Sequence, residues 1–231
     1  MQDSKYIAVY KDICELFHLT EPNPLPEKQI QEIQEYFGAI PKALLEYYRL
    51  CGGCRDMNAS RDFLLTPDGR YTYQIQMKNF AYEDYCVFYV ENDWVFVWAI
   101  KKEDLTKENP PVYETLDDEN WHKLFDSVSE FLISQAYVQR TFSFEYSNST
   151  EEFFYLTQEQ LQILAENFPH VNADSDLYMG IQFFQPYKDT LIMTIRDDEK
   201  VFMGLCASEN EQHFETVMNK INKILDFEQE N

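Results

Sequence analysis

The stretch that most restricts the fold is Tyr85–Ile100, Tyr-Cys-Val-Phe-Tyr-Val-Glu-Asn-Asp-Trp-Val-Phe-Val-Trp-Ala-Ile. Two apolar runs meet at Asn92-Asp93, residue types that tolerate the left-handed backbone of a tight hairpin turn. Neither run alternates with polar residues, which predicts two strands at the middle of a sheet, covered on both faces. With a two-residue loop, Glu91 pairs with Trp94, Tyr89 with Phe96, Val87 with Trp98 and Tyr85 with Ile100. Those side chains then share a large aromatic face, while Cys86, Phe88, Val90, Val95, Val97 and Ala99 make a small, mainly aliphatic one.

Helical patterns precede this hairpin. Ser4–Leu19 places Tyr6, Tyr10, Ile13 and Phe17, with Val9 and Leu16, on one stripe. Pro22-Asn23-Pro24 breaks it. A second helix opens at Pro26, buries Ile30, Ile33 and Phe37, and closes at Gly38. A third opens at Pro41 and stops at Gly52-Gly53. Strands Phe63–Thr66 and Tyr71–Met77 flank the turn Pro67-Asp68-Gly69. After the hairpin, Pro110–Glu114 reads as an edge segment, because proline cannot donate to a ladder. Asp117 or Asp118 then caps a helix running to about Val138.

From Thr141 the pattern restarts. A strand to Tyr146 is followed by a helix whose capping box is Thr157-Gln158-Glu159-Gln160. Strands follow at Tyr178–Phe184, Leu191–Ile195 and Val201–Cys206, and Ser208-Glu209-Asn210-Glu211 opens a terminal helix. The expected class is α+β: helices packed on a mainly antiparallel sheet over 1–138, then a smaller α/β unit over 139–231.

Composition narrows the function. The chain of 231 residues is 45% hydrophobic and 16% aromatic, which excludes disorder despite a net charge of −22. The acidity is spread: 14 basic against 24 acidic residues through Arg140, and 5 against 17 thereafter. Such a surface repels phosphate backbones, so neither nucleic acid nor an anionic membrane is expected as a direct partner, whereas a basic protein is. With no apolar run of membrane-spanning length and no basic-then-apolar start, a cytoplasmic location is expected, with all five cysteines as free thiols.

Candidate chemistry is sparse. Cys51-Gly-Gly-Cys54 follows a helix, whereas a redox pair belongs before one, and no second pair completes a zinc site. His18, His122, His170 and His213 have no metal-ligand spacing, and no nucleophile elbow or phosphate-cradling glycine loop occurs. Asp117-Asp118-Glu119 suits a helix start, Asp197-Asp198-Glu199 a hairpin tip, and Asp174 with Asp176 falls short of a calcium loop. No catalytic residue, metal or cofactor is expected.

Three blocks in the first 138 residues resemble the SUKH superfamily. They are Gly38–Gly53, a helix after an Ile-Pro entry with a Gly-Gly stop; the hairpin with Glu91-Asn92 at its turn and Trp98-Ala99-Ile100 after it; and Asn109-Pro110-Pro111-Val112, followed by a helix with Phe131-Leu132. The resemblance implies helices on a largely antiparallel sheet and no enzymatic activity. Many bacterial members are immunity proteins that neutralise a toxin, often a nuclease; eukaryotic relatives, among them regulators of yeast cell-wall synthesis, act as adaptors. It thus implies an immunity protein for a basic toxin domain, with a regulatory adaptor or an enzyme of unrecognised type as alternatives. The expected partner-binding residues are the acidic Glu83, Asp84, Glu91 and Asp93, which rim the aromatic Tyr89, Trp94, Phe96 and Trp98. The aromatic face is expected to have no cover from within the first domain, and the competing reading is that residues 141–231 cover it as a second core.

Overall fold

The computed structural model describes residues 5–68, 82, 84–117, 119–150, 152–176, 178–198 and 201–226. The chain divides into two compact units, Met1–Gln139 and Arg140–Asn231. It is an α+β protein, with helices and two antiparallel sheets.

The first unit opens with α1 (Lys5–Leu16), α2 (Glu27–Phe37), α3 (Lys42–Leu50) and the single turn α4 (Arg55–Asn58). Buried Tyr6, Tyr10, Ile13 and Cys14 recur on one stripe of α1, but Val9, expected beside them, is exposed. Gly38 ends α2 at φ +84, a conformation that costs glycine little, and its N–H donates to Gln34 O at 2.8 Å. Gly52 stops α3 for a different reason: a Cβ there would lie 2.8 Å from Tyr48 Cα.

The first sheet has the strand order β1 (Phe63–Leu64), β2 (Tyr85–Val90), β3 (Val97–Lys101), β4 (Val112–Thr115), β5 (His122–Phe125), antiparallel throughout. Helix α5 (Val128–Ser143) follows. Several expectations change here. The region expected as one helix from Asp117 or Asp118 holds β5 and only then α5. Hence β4 is an interior strand: its prolines, Pro110 and Pro111, stand just before it, where no ladder bond is required of them. The expected partner strand Tyr71–Met77 lies outside the described residues.

The central hairpin also differs from its expected register. Tyr89 faces Trp98, Val87 faces Ala99 and Tyr85 faces Lys101, with a shift between Val87 and Tyr89 that makes Phe88 the extra residue of a bulge. Glu91–Phe96 therefore forms a six-residue loop instead of a two-residue turn. Phe131 of α5 covers the strands, its ring 5.4 Å from Phe88 and Tyr89 and 5.6 Å from Trp98 and Phe125. Gln139 fastens the next turns: its Nε2 donates to Tyr89 Oη at 2.9 Å and Asp62 O at 2.6 Å, and its Oε1 accepts Arg61 N at 2.7 Å. A fully buried amide is tolerated there because its bonds are made.

The second unit is built on a six-stranded sheet: β6 (Tyr146–Ser147), β7 (Phe154–Thr157), β8 (His170–Ser175), β9 (Ile181–Tyr187), β10 (Thr190–Asp198) and β11 (Val201–Ser208), with spatial order β6-β11-β10-β9-β8 and β7 also on β11. The expected strand Thr141–Tyr146 is replaced by the end of α5 and by β6; β7 and β8 were not expected, and Asp174 belongs to β8. Between the two short partners of β11, the Asn148 side chain takes over the ladder, accepting Cys206 N at 2.7 Å. Helix α6 (Gln158–Asn167) has the expected capping box, Thr157 with Gln160. Helix α7 (Glu211–Leu225) is capped by Asn210 alone, because Ser208 is the last residue of β11. Phe184, Ile192 and Phe202 meet Leu164, Val217 and Ile221 in a core sealed by these two helices.

Candidate partner-binding site

The loop Glu91–Phe96 is organised by one carboxylate. Glu91 Oε2 accepts Asp93 N at 2.8 Å and Val95 N at 3.3 Å. Its backbone closes the loop: Glu91 N donates to Phe96 O at 3.0 Å, and Glu91 O accepts Trp94 N at 3.1 Å. A non-glycine residue, Trp94, stands at φ +63. That conformation is uncommon for a bulky side chain and persists only when surrounding bonds enforce it. Trp94 and Phe96 are half-buried, Asp93 is exposed, and Val95 is 52% exposed. The Phe96 ring lies parallel to that of Trp98, centroids 6.4 Å apart.

Beneath the loop lies a buried carboxyl group, Asp62. It accepts the backbone N–H of Asn92, but burial is the larger effect, and with the nearby Glu91 charge it raises the Asp62 pKa to about 6. Its Oδ1 finds no hydrogen-bond partner among the described residues. Sequence reasoning missed Asp62, since one aspartate before a strand carries no signal of burial.

The eight expected partner-binding residues do not form one surface. Glu91, Asp93, Trp94 and Phe96 come together at the loop. Tyr89 and Trp98 do not join them: at 1% and 0% exposure they are core residues. The physical reason is the shifted register, which sets both beneath Phe131, whereas the aromatic face had been expected to lack cover from its own unit. Trp98 Nε1 donates to Glu114 Oε2 at 2.9 Å, a bond that lowers the Glu114 pKa against the larger raising effect of burial. Asp84 is exposed but precedes β2, so the length of that strand, roughly 20 Å, separates it from the loop. Glu83 lies outside the described residues.

At the Asp84 end a different aromatic group appears. Tyr85 stacks on Trp121 with centroids 4.1 Å apart, Tyr82 and Tyr113 meet this pair edge to face, and Lys101 Nζ lies 4.8 Å from the Tyr113 ring centroid. All four rings are half-buried. Trp121 escaped the sequence reading because it was assigned to a helix. Asp117, expected as that helix's cap, instead accepts Glu119 N, Asn120 N and the Asn120 side chain at the β4–β5 turn, which holds its carboxyl well below the usual range.

The other candidates lie elsewhere in the first unit. Cys51 and Cys54 are buried free thiols. Asn58, the first residue of one glycosylation-type triplet, is buried with Nδ2 donating to Cys51 O at 2.8 Å and Cys54 O at 2.9 Å. Among the described residues, no group of three or more His, Cys, Asp or Glu side chains could hold a metal ion, and no helix is long and apolar enough to cross a membrane.

Residues 24–134 match the family model of the SMI1 / KNR4 family (SUKH-1). No curated protein and no solved structure matches the chain.

Proposed function

The chain belongs, through residues 24–134, to the SUKH superfamily, and from that premise we propose that it is a non-enzymatic immunity protein that binds a basic toxin domain. The family match is the observation that carries this reading. The chemistry of the Glu91–Phe96 loop agrees with it: a rigid, carboxylate-organised loop presents half-exposed Trp94 and Phe96 beside Asp93. Aromatic anchors beside acidic groups suit a basic protein surface, the aromatics supplying buried area and the charges steering encounter. Neutralisation proceeds by occlusion of the toxin's active surface, a nuclease site being the case best matched by a net charge of −22. Asp84, on this reading, lies outside the contact. The protein acts in the cytoplasm, and residues 139–231 form a second, smaller domain.

Co-expression with the toxin domain encoded beside the gene tests the proposal. Protection of the cells and co-purification of a complex are expected, both lost in the Asp93→Lys, Trp94→Ala double variant. A toxin that kills regardless, with no complex formed, overturns it. Recovery of a cellular partner from toxin-free cells through the same loop would favour the adaptor reading that the eukaryotic relatives suggest.

A further inference from the structure

Helices α1 and α3 pack with matching steps. Tyr10 and Tyr47 meet edge to face, centroids 5.2 Å apart, and Tyr10 Oη donates to Ala43 O at 3.2 Å. Four residues beyond each tyrosine stand Cys14, on α1, and Cys51, the residue that ends α3; their side chains are partners, and Cys51 Sγ also donates to Tyr47 O at 3.6 Å. Cys54 follows, its N–H donating to Cys51 O at 3.0 Å. The Gly52-Gly53 turn between them is tied to the chain before α2: Gly53 N donates to Asn23 O at 2.8 Å, and a Cβ on Gly53 would lie 2.6 Å from Pro24 O. Cys51 is therefore held in place against α1.

Cys51 is fully buried, so the pair is approached through Cys14. Cys14 lines an open groove of about 550 Å³ with Lys11, His18 and Leu50. The two thiols also differ in character. The hydrogen bond with Cys51 holds the Cys14 pKa below the ordinary thiol range, outweighing burial, whereas burial raises that of Cys51. Access assigns the roles: Cys14, on the groove, is the attacking thiol and the fully buried Cys51 the resolving one. Cys86 and Cys206 provide the contrast, pushed up by burial to about 11 and about 12.

We propose that Cys14 and Cys51 are a peroxide-reactive dithiol, closing a disulfide between α1 and α3 on oxidation. The Cys14 thiolate attacks the O–O bond of a hydroperoxide and takes one oxygen. With hydrogen peroxide this releases the other oxygen as water and leaves Cys14 as a sulfenic acid. Cys51 Sγ then displaces the hydroxyl group from Cys14 Sγ, and its proton leaves with that group as a second water. Two thiols lose two electrons and two protons; one peroxide becomes two waters. The bond would tie α1, which precedes the family-matched residues 24–134, to α3 within them.

The test uses the reduced, full-length protein. It is exposed to hydrogen peroxide, alkylated at intervals and digested without reduction, and the linked peptides are assigned by fragment ions. A Cys14–Cys51 link is expected, formed at least about tenfold faster than any modification of Cys86 or Cys206, which serve as internal controls. In the Cys51→Ser variant, dimedone should trap a sulfenic acid at Cys14. A Cys51–Cys54 link in place of Cys14–Cys51, or Cys14 reacting no faster than Cys206, overturns the proposal. The wild-type peptide map decides the question even if a serine variant folds poorly.

Discussion

The two long hairpins of this protein, β2–β3 in the first unit and β10–β11 in the second, begin from the same kind of sequence and finish differently. Both are apolar on both faces. In β10–β11 the pairing is regular from Thr190 opposite Ser208 to Arg196 opposite Phe202, and the irregularity is pushed to the tip, between Arg196 and Asp198. In β2–β3 the bulge at Phe88 falls mid-strand, and a six-residue loop replaces the tight turn. Gly204 explains part of the contrast. It leaves room for the Phe154 ring over β11 and so locks that strand to its neighbour β7. The first hairpin has no such peg, and Glu91 sets its end by gathering loop amides. One hairpin is wholly a scaffold; the other is scaffold at Tyr89 and Trp98 and a presented surface at Trp94.

The hardest break of this contrast is Trp98→Ala. It removes a ring at 0% exposure that packs on Tyr89 and Phe131, and leaves the half-buried Glu114 carboxylate without its indole donor. A loss of about 3–5 kcal/mol is expected. Urea unfolding followed by tryptophan emission reads the first unit, since Trp94, Trp98 and Trp121 all lie in it. A loss below about 1 kcal/mol would return Trp98 to the surface class.

Asp62→Asn probes the support under the loop. The folded-state pKa of Asp62 is about 6, above the ordinary 3.8. The folded protein therefore holds this proton more tightly than the unfolded chain. The contribution to stability is complete below pH 3.8, erodes as pH rises, and is lost above 6. The span corresponds to roughly 3 kcal/mol as an upper bound. The Asn variant should gain about 1–3 kcal/mol over the parent at pH 7.5 and nothing at pH 4, in unfolding at both pH values. An equal difference at the two would detach the effect from titration.

How far the sequence could be read follows from the same contrast. Both hairpins were legible as hairpins, as were the capping box at Thr157 and the helices ended by Gly38 and Gly52. The register of β2–β3 was not. A one-residue slip normally turns an apolar set toward solvent, but with apolar residues on both faces a slip costs no burial, and the pattern cannot choose. The choice rests on the Glu91 carboxylate, which gathers amides of its own loop, and on Phe88, whose ring meets Phe131 far along the chain. Asp117 shows the converse: its tendency to accept nearby amides was legible, but the same chemistry serves a turn as well as a helix start. Of the candidate site, Glu91, Asp93, Trp94 and Phe96 were within reach. Asp62 and the Tyr85–Trp121 stack required β5 and the loop to be in place.

Gly204→Ala tests the peg of the regular hairpin. An added Cβ would lie 1.8 Å from Phe154 Cε2, so the buried ring and β7 must move. A cost of about 1–3 kcal/mol is expected, with faster amide exchange in β7 and β11. Unchanged exchange there would mean that β7 adapts freely and that the two hairpins are less different than they look.

The smallest effect on folding is expected at Trp94, only four residues from the largest. Trp94 is half-buried and lies in a loop whose shape is held by Glu91 and by backbone bonds, which Trp94→Ala leaves intact. Relief of the left-handed strain is slight for alanine, which also carries a Cβ. Stability should therefore change by less than about 1 kcal/mol in the same urea experiment. Binding should behave in the opposite way. A tryptophan at the centre of a protein contact carries about 2 kcal/mol or more, a loss of at least thirtyfold in affinity, measurable by calorimetry with the purified partner. A variant that folds like the parent and binds like the parent would move the contact elsewhere on the first unit. The Tyr85–Trp121 stack is then the next surface to mutate.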